Sequence, residues 1–194
     1  SFIKAAVVSH QLRKKHTEIL VHTGQHYDYN MSEQFFKELN IPTPEYNLGI
    51  SGGAHAQMTG RMMIAAEEIL IKEKPDWLLV YGDTNSTLSA ALAAAKLHIP
   101  ICHVEAGART HCRTNPEEIN RICTDHVSSL LLASTESGID SMKAEGLAER
   151  ALFVGDPMFD AFVEYSKNRE LCDVTLTLLD GQTTGVPQKF YYHD

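Results

Sequence analysis

Residues 77–87, which read WLLVYGDTNST, decide the fold. The first five of them form an almost unbroken apolar run, which is typical of a strand covered on both faces in a parallel sheet. Gly82 then permits a sharp turn of the backbone, and the polar residues after it can cap a helix. The stretch therefore predicts a buried strand that leads through a short polar turn into a helix.

Outward from this stretch, short apolar runs alternate with longer helical patterns. Further strands are predicted at residues 18–22, 101–104, 130–133 and 152–154, and helices at residues 2–14, 32–39, 57–74, 88–97, 116–128, 136–145 and 157–165. Regular alternation of this kind predicts an α/β fold built on a doubly wound parallel sheet. After Ser166 the pattern degrades, and residues 173–186 contain the Gly, Thr and Pro that are typical of a connector between domains.

Composition limits the classes of partner. The chain has 194 residues, of which 43% are hydrophobic, and 17 basic against 25 acidic residues give a net charge of −8. This balance argues against binding to nucleic acid or to an anionic membrane, because both require a basic surface. No apolar run approaches the roughly 20 residues of a membrane span, and no signal-type segment opens the chain, so a cytoplasmic protein is expected.

The four cysteines, Cys102, Cys112, Cys123 and Cys172, form no C-x-x-C pair. Structural zinc usually takes paired ligands at close spacing, so the cysteines do not predict a metal site. The simpler interpretation is that they are reduced thiols of an intracellular protein.

Ligands of open α/β sheets bind at the carboxyl ends of the strands, so the residues that come after each predicted strand are the candidates for a site. Gly82, Asp83 and Thr84 come after the strand quoted above, where a helix start offers free N–H groups to an anion or a sugar hydroxyl. Asp83 also has a simple structural interpretation, as the cap of that helix. Glu105 comes after the next strand, and because glutamate is a poor turn former, a purely structural role explains it less well.

Residues 115–121, which read NPEEINR, predict a helix start that also carries acids. Asparagine at the cap, proline at the first helical position and acids in the first turn are all favoured there, so structure explains Glu117 and Glu118 about as well as function does. Arg121 lies one turn further, on the face that it shares with Glu117, and can bind a phosphate or a carboxylate. With the two acids at the strand ends, this helix start predicts a general acid/base site.

Residues 25–28, which read QHYD, come after the strand predicted at residues 18–22 and place more polar groups at the same sheet edge. Gln25 and His26 are therefore candidate residues of the site. A structural role for His26 is the commoner interpretation, because histidine serves widely as an ordinary hydrogen-bonding residue.

Several segments of the chain, taken in order, resemble segments of the non-hydrolysing UDP-N-acetylglucosamine 2-epimerases. They lie at residues 24–28, 74–76, 81–87, 99–107, 116–121 and 154–156. Each segment alone is a weak signal, but together, in order and at family-like spacing, they are a strong one. The resemblance extends over about residues 2–192 and identifies the chain as similar to this family.

The resemblance implies two Rossmann-like domains in a glycosyltransferase-B arrangement, with a UDP-sugar in the cleft between them. It implies inversion at C2 of the sugar, by elimination of UDP to a 2-acetamidoglucal and re-addition on the other face. The family's products are expected to serve the biosynthesis of cell-surface polysaccharide. It implies that the reaction needs no metal and no nicotinamide cofactor. The partners that it implies for the protein are the UDP-sugar and a second copy of the chain in a homodimer. By motif, the resemblance implies catalytic roles for Asp83, Glu105 and Glu117. The residues that it implies for substrate binding are Gln25, His26, Gly82, Thr84 and Arg121.

The chain also departs from the family pattern at both ends. Family members begin with a strand and a Gly-Thr-Arg-Pro loop before the segment that resembles residues 2–4, and both are missing here. That strand is normally central, so its absence is expected to leave neighbouring strand edges unpaired. We predict that residues 1–168 form the N-terminal domain without its first strand. Residues 169–194 are predicted to form the connector and the first strand of a missing C-terminal domain.

Three functions stay open at this point. The first is a UDP-N-acetylglucosamine 2-epimerase that is inactive as this fragment. The second is a 2-epimerase of a modified sugar, such as a UDP-diacetamido-glucuronate, which composition cannot separate from the first. The third, from another class, is a non-catalytic UDP-sugar-binding or inert remnant, which the missing strand and second domain favour.

Overall fold

Strands and helices alternate in the computed structural model, which describes residues 2–24 and 40–166. The strands are β1 (Val21–His22), β2 (Tyr46–Asn47), β3 (Leu78–Tyr81), β4 (Ile101–Val104), β5 (Leu130–Ala133) and β6 (Ala151–Phe153). The helices are α1 (Phe2–Leu12), α2 (His55–Glu73), α3 (Asn85–Lys96), α4 (Pro116–Val127), α5 (Glu136–Ala144) and α6 (Pro157–Tyr165), with a short 3-10 helix at Ala148–Arg150. The helix predicted at residues 32–39 and the strand predicted within residues 169–194 lie outside the described residues. The other predicted elements are present, with ends shifted by a few residues at most.

The described strands form two parallel sheets. β3, β4, β5 and β6 pair in the order of the chain, and β1 pairs with β2 in a separate sheet. The predicted α/β fold with parallel strands is confirmed, although the prediction was of one sheet. Sequence analysis missed β2, because a strand of two residues is too short to display a period of two.

β4 is an interior strand of the larger sheet, and all four of its residues are buried. Burial at successive positions requires cover on both faces of the sheet, as the apolar runs predicted. One hydrophobic core, to which α2, α3, β3 and β4 contribute, contains Leu70, Val80, Ala91, Ala93, Ala94 and Ile101. A second core, near β5 and α5, contains Ala106, Leu131, Ala133, Met142 and Leu147.

Side chains cap the two helices that begin closest to the candidate acids. The Thr84 hydroxyl accepts a hydrogen bond from the N–H of Thr87 at 3.4 Å, and α3 therefore begins earlier than predicted. The interpretation of Asp83 as the cap of this helix is wrong. Asn115 caps α4 as predicted, with its Oδ1 3.3 Å from the backbone nitrogen of Glu117.

By the density of its internal contacts the chain divides into two units, residues 1–161 and 162–194. The first unit contains every described strand. Of the second unit the structure describes residues 162–166, in which α6 ends. The domain boundary after residue 168 stays a prediction. None of the described helices combines the length and the hydropathy needed to cross a bilayer.

We expect Gly107→Ala to destabilise the fold more than Gly146→Ala does. Both glycines are left-handed, with φ of 81° and 76°, so alanine costs about 1–2 kcal/mol at either position. A Cβ at Gly107 would also overlap the Gly138 carbonyl oxygen and lie 2.9 Å from Met142 Cε, whereas a Cβ at Gly146 meets nothing within 4 Å. Overpacking adds about 1–3 kcal/mol.

Urea unfolding of the two variants measures this difference directly, because the backbone cost is common to both. A larger loss of unfolding free energy in Gly107→Ala is the expected outcome. Equal losses in the two variants would contradict the close packing of the turn after β4 on α5.

Candidate active site

Asp83 and Glu105 lie at the same edge of the larger sheet, because they come after neighbouring parallel strands. Tyr81 is paired with Val104 in the register of β3 and β4, so both acids lie within two residues of a paired position. Oε2 of Glu105 is 3.6 Å from the point that a Cβ on Gly82 would occupy. The Glu105 carboxylate therefore lies next to the turn that carries Asp83.

The backbone of Glu105 is held in the left-handed region, with φ of 71°. The N–H groups of Glu105 and Ala106 both donate to the Leu132 carbonyl oxygen of β5, each at 3.0 Å, and these bonds fix the turn after β4. Such a conformation is unfavourable for a residue with a side chain and is found preferentially at functional sites. The hydrogen bonds to Leu132 thus hold Glu105 in this unfavourable conformation and fix where its side chain leaves the sheet edge.

Asp83 is held by Arg121 of α4. Nε and Nη2 of Arg121 donate to Oδ2 of Asp83 at 3.0 and 2.7 Å. The side chains are 34% exposed for Asp83 and 14% exposed for Arg121, so the ion pair lies at the border of the solvent. Sequence analysis predicted Arg121 as a ligand for a phosphate or carboxylate. The carboxylate that it binds here is the chain's own, and its contact with substrate stays a prediction.

Glu118 is the acid of α4 that joins this network. It is 1% exposed, and its carboxylate accepts the N–H groups of Thr110 and His111 at 2.9 and 2.8 Å and Nη1 of Arg121 at 2.8 Å. Burial alone would raise the pKa of Glu118, but these hydrogen bonds outweigh it and lower the pKa to about 2. Glu118 therefore fixes the loop before α4 and orients the arginine that holds Asp83.

Glu117, the acid that the resemblance selects, lies on the exposed side of the first turn of α4. Its backbone N–H bonds to the Asn115 cap, and within the described part of the chain its carboxylate makes no hydrogen bond or ion pair. The structure therefore brings Asp83 and Glu105 together through their strands and leaves Glu117 with its carboxylate open to a ligand. The catalytic roles of the three acids stay predictions.

Lys4 of α1 forms an ion pair with Oε2 of Glu105, and sequence analysis missed it. The two residues are separated by about half the chain, so no local motif connects them. One signal was present, because Lys4 is the lone charged residue in the apolar first half of α1. A lone charge in an apolar helical stretch is paired when it is buried, and Lys4 is 17% exposed.

Asn120 is a second residue that sequence analysis missed. It is 6% exposed, and its amide nitrogen donates to the Asp83 carbonyl oxygen at 2.8 Å and to Oδ1 of Asn85 at 3.3 Å. These bonds attach α4 to the turn after β3 through the backbone, in parallel with the Arg121 side chain. The turn that carries Asp83 is thus held at two points.

Four more residues were predicted to bind substrate. Gly82 has φ of 65° and begins the turn after β3, as its predicted role in a sharp turn requires. The Thr84 hydroxyl is engaged as the cap of α3. Gln25 and His26 lie outside the described residues. Substrate binding by these four residues stays a prediction.

This arrangement suits proton transfer next to an anionic group. Two carboxylates, each hydrogen-bonded to a cation, lie close to the N-terminus of α3, where backbone N–H groups favour negative charge. Over residues 2–24 and 40–166 no three His, Cys, Asp or Glu side chains come together as a metal site would require.

We expect Glu118→Gln to lower the free energy of unfolding at neutral pH by about 3 kcal/mol, because a pKa lowered from 4.5 to about 2 corresponds to that stabilisation. The folded-state pKa is depressed, so the contribution is present above pH 4.5 and is lost as the pH falls toward 2. The difference between wild type and variant should therefore shrink over that interval.

Glu117→Gln is the matched control, since it changes the adjacent, exposed acid and should alter stability by less than about 0.5 kcal/mol. Denaturant unfolding at a series of pH values checks both variants. A difference between wild type and Glu118→Gln that does not depend on pH would contradict the buried carboxylate network.

Comparison with known proteins gives consistent matches over most of the chain. The sequence model described as UDP-N-acetylglucosamine 2-epimerase matches residues 10–183. The UDP-2,3-diacetamido-2,3-dideoxy-D-glucuronate 2-epimerase of Pseudomonas aeruginosa is 52% identical over 185 residues, which cover 93% of this chain and 52% of that protein. The UDP-N-acetylglucosamine 2-epimerase of Methanocaldococcus jannaschii is 49% identical over 152 residues, 78% of this chain and 42% of that protein. The chain thus spans about half the length of the curated relatives that it matches.

Solved structures agree with the sequence matches. The M. jannaschii UDP-GlcNAc 2-epimerase in complex with UDP-GlcNAc and UDP superposes with a TM-score of 0.83 at 44% identity, covering 87% of this chain and 48% of that one. The enzyme from Neisseria meningitidis bound to UDP-GlcNAc superposes with a TM-score of 0.79 at 31% identity, covering 86% and 47%. Sequence, fold and the acids at the sheet edge lead to one assignment: the chain belongs to the UDP-N-acetylglucosamine 2-epimerase family.

Proposed function

We propose that this chain forms the acid-bearing half of a UDP-N-acetylglucosamine 2-epimerase, which interconverts UDP-N-acetylglucosamine and UDP-N-acetylmannosamine. The observation that carries the proposal is the pair Asp83 and Glu105, which lie at neighbouring strand ends and are each bound by a cation. A site for epimerisation needs carboxylates for proton transfer next to positive charge for the UDP phosphates. Both are present at this edge of the sheet.

The chemistry explains why more than one acid is needed. A carboxylate takes the proton from C2, the bond between C1 and the UDP oxygen breaks, and a double bond forms between C1 and C2. UDP then adds back to C1, and a proton reaches C2 from the opposite face. Because the proton leaves from one face and returns to the other, two groups on different sides of the sugar serve best. Asp83, Glu105 and Glu117 are the proposed set.

The cations at the site have a defined part in this proposal. Lys4 and Arg121 form ion pairs with Glu105 and Asp83. Electrostatic stabilisation of the departing UDP requires positive charge that is already in place. Lys4, Arg121 and the positive end of the α3 helix dipole are the proposed sources of it. Gln25, His26, Gly82 and Thr84 complete the proposed substrate-binding residues.

A second candidate substrate is a UDP-diacetamido-glucuronate. The observation that favours it is the 52% identity to the P. aeruginosa enzyme, over 93% of the chain. The C2 chemistry is the same for both sugars, so the acids named above serve either one. Assay of the complete gene product with each nucleotide sugar separates the two candidates.

The family resemblance also supports finer proposals about the protein's assembly and location. We propose a homodimer that works in the cytoplasm, a compartment compatible with reduced thiols at Cys102, Cys112 and Cys123, which are free in the structure. Light scattering of the complete gene product tests the dimer, and a monomeric mass would contradict it.

Solvent-deuterium incorporation is the direct test of the proposed activity. In deuterated water the complete gene product should exchange the C2 proton of UDP-N-acetylglucosamine and form the C2-inverted product, which NMR detects as loss of the C2 proton signal. Failure to exchange C2 of either nucleotide sugar would overturn the proposed function. It would favour the alternative of a non-catalytic protein.

The acids can be tested one at a time in the same assay. Asp83→Asn, Glu105→Gln and Glu117→Gln should each lower kcat on the order of 10²-fold, the loss typical of a missing general acid or base. Asp140→Asn is the matched control, because this α5 carboxylate is 77% exposed and, among the residues that the structure describes, pairs with Lys143 of its own helix. Wild-type rates in all three variants would show that the acids are structural.

A further inference from the structure

His103 of β4 is a fully buried histidine that the proposed mechanism does not use. It is 0% exposed, and its two ring nitrogens are both hydrogen-bonded. Nε2 lies 2.7 Å from the Gly82 carbonyl oxygen, and Nδ1 lies 2.6 Å from Oδ1 of Asp125 on α4. One ring therefore connects the turn that carries Asp83 to the helix that carries Glu117.

Both partners of this ring accept hydrogen bonds. The Gly82 carbonyl oxygen can only accept. Asp125 also accepts the Gly107 N–H at 3.0 Å and pairs with Nη2 of Arg109 at 2.8 Å, so it is present as the carboxylate. Burial alone would raise the pKa of Asp125, but the bonds and charges of His103 and Arg109 outweigh it and lower the pKa. Both ring nitrogens of His103 therefore face hydrogen-bond acceptors.

Asp125 extends the connection to the turn after β4. The Gly107 N–H that it accepts is two residues beyond Glu105, and the Arg109 that it pairs with is bound in turn by Glu145 through Nε at 2.7 Å. The His103–Asp125 pair thus contacts the turns after β3 and after β4, each of which bears a proposed catalytic acid. Being fully buried, neither residue can touch a substrate.

We propose that His103 and Asp125 are positioning residues that fix the Gly82 carbonyl and the Gly107 amide, and through them the relative placement of Asp83 and Glu105. The inference rests on the proposed function and extends it to two residues outside the site. The Gly82 carbonyl belongs to the peptide group that begins Asp83, so rotation of that group displaces the acid. A displacement of about 1 Å in a catalytic group can cost on the order of 10²-fold in rate.

Two substitutions of His103 separate positioning from general stability. His103→Gln places an amide donor near the former Nε2, so it can keep the bond to Gly82 while losing the one to Asp125. His103→Asn places its donor near the former Nδ1, so it keeps the bond to Asp125 and loses the one to Gly82. Both replace the buried histidine by a neutral amide. In His103→Gln, Asp125 can still pair with Arg109 and accept the Gly107 N–H. The larger displacement of a catalytic acid is therefore expected in His103→Asn, which loses the Gly82 bond.

In the complete gene product, kcat of His103→Asn should fall at least about 10-fold below that of His103→Gln, with KM and Tm similar in the two variants. Binding of UDP, measured by calorimetry, should be unchanged in both. Equal kcat values in the two variants would overturn the proposal, as would a fall in kcat that tracks Tm alone.

Nitrogen-15 NMR supplies a readout that does not depend on activity. Nε2 of His103 should carry a proton, because its partner is a carbonyl oxygen that can only accept. The amide signal of Asp83 should move in His103→Asn more than in His103→Gln, because hydrogen bonding to the Gly82 carbonyl polarises that amide. An unprotonated Nε2 in the wild type would overturn the inference. If the wild type does not exchange C2 of either sugar, the proposed function fails, while the NMR comparison still decides whether His103 holds the turn.

Discussion

The parallel pairing of β3 with β4 determines where the carboxylates lie, because parallel strands bring the residues after their carboxyl ends to one edge. Tyr81 is opposite Val104 in this register, so a slip of one residue would turn the side chains of one strand to the other face. The register is protected by burial, since every residue of β4 is buried between its neighbours. The separation of Asp83 from Glu105 is therefore set by the same packing that stabilises the sheet.

Acidic residues cluster at this edge of the sheet, and basic side chains of α4 and α1 offset their charge. Asp83, Glu105, Glu117 and Glu118 lie on or next to it in a protein whose net charge is already −8. Arg121 binds two of these acids and Lys4 binds a third, so the edge carries paired charges before any ligand arrives. The overall negative charge does not prevent this edge from receiving a phosphorylated ligand, because the basic side chains and helix start act locally.

The features predicted well from sequence were local ones. The apolar runs marked the interior strands, and the asparagine and proline before α4 marked its start, because strand burial and helix capping depend on neighbours in the chain. Sequence left the cap of α3 open between Asp83 and the hydroxyl residues after it, because all of these residue types cap helices well. In the structure Thr84 is the cap, and the Asp83 carboxylate is bound by Arg121 instead.

The features that sequence did not predict depend on contacts between distant residues. Glu117 and Glu118 are equivalent in a first helical turn by sequence. Only the hydrogen bonds from Thr110 and His111, in the loop before α4, show that Glu118 is the buried one. Lys4 reaches Glu105 across half the chain, and His103 reaches Asp125 from an interior strand to a helix. Such pairs leave no spacing signal, because tertiary packing rather than periodicity brings them together.

The buried His103–Asp125 pair is better explained by position than by stability. Taking the Asp125 carboxylate out of water costs several kcal/mol, and well-packed apolar residues of similar volume are often as stable or more so. An apolar pair, however, offers no donor to the Gly82 carbonyl and no acceptor to the Gly107 amide, and would leave both groups without these partners. The His103–Asp125 pair satisfies them and fixes their directions. The positions of Asp83 and Glu105 depend on the turns after β3 and β4. A polar pair in the core, His103 and Asp125, therefore holds those turns in place where an apolar pair would not.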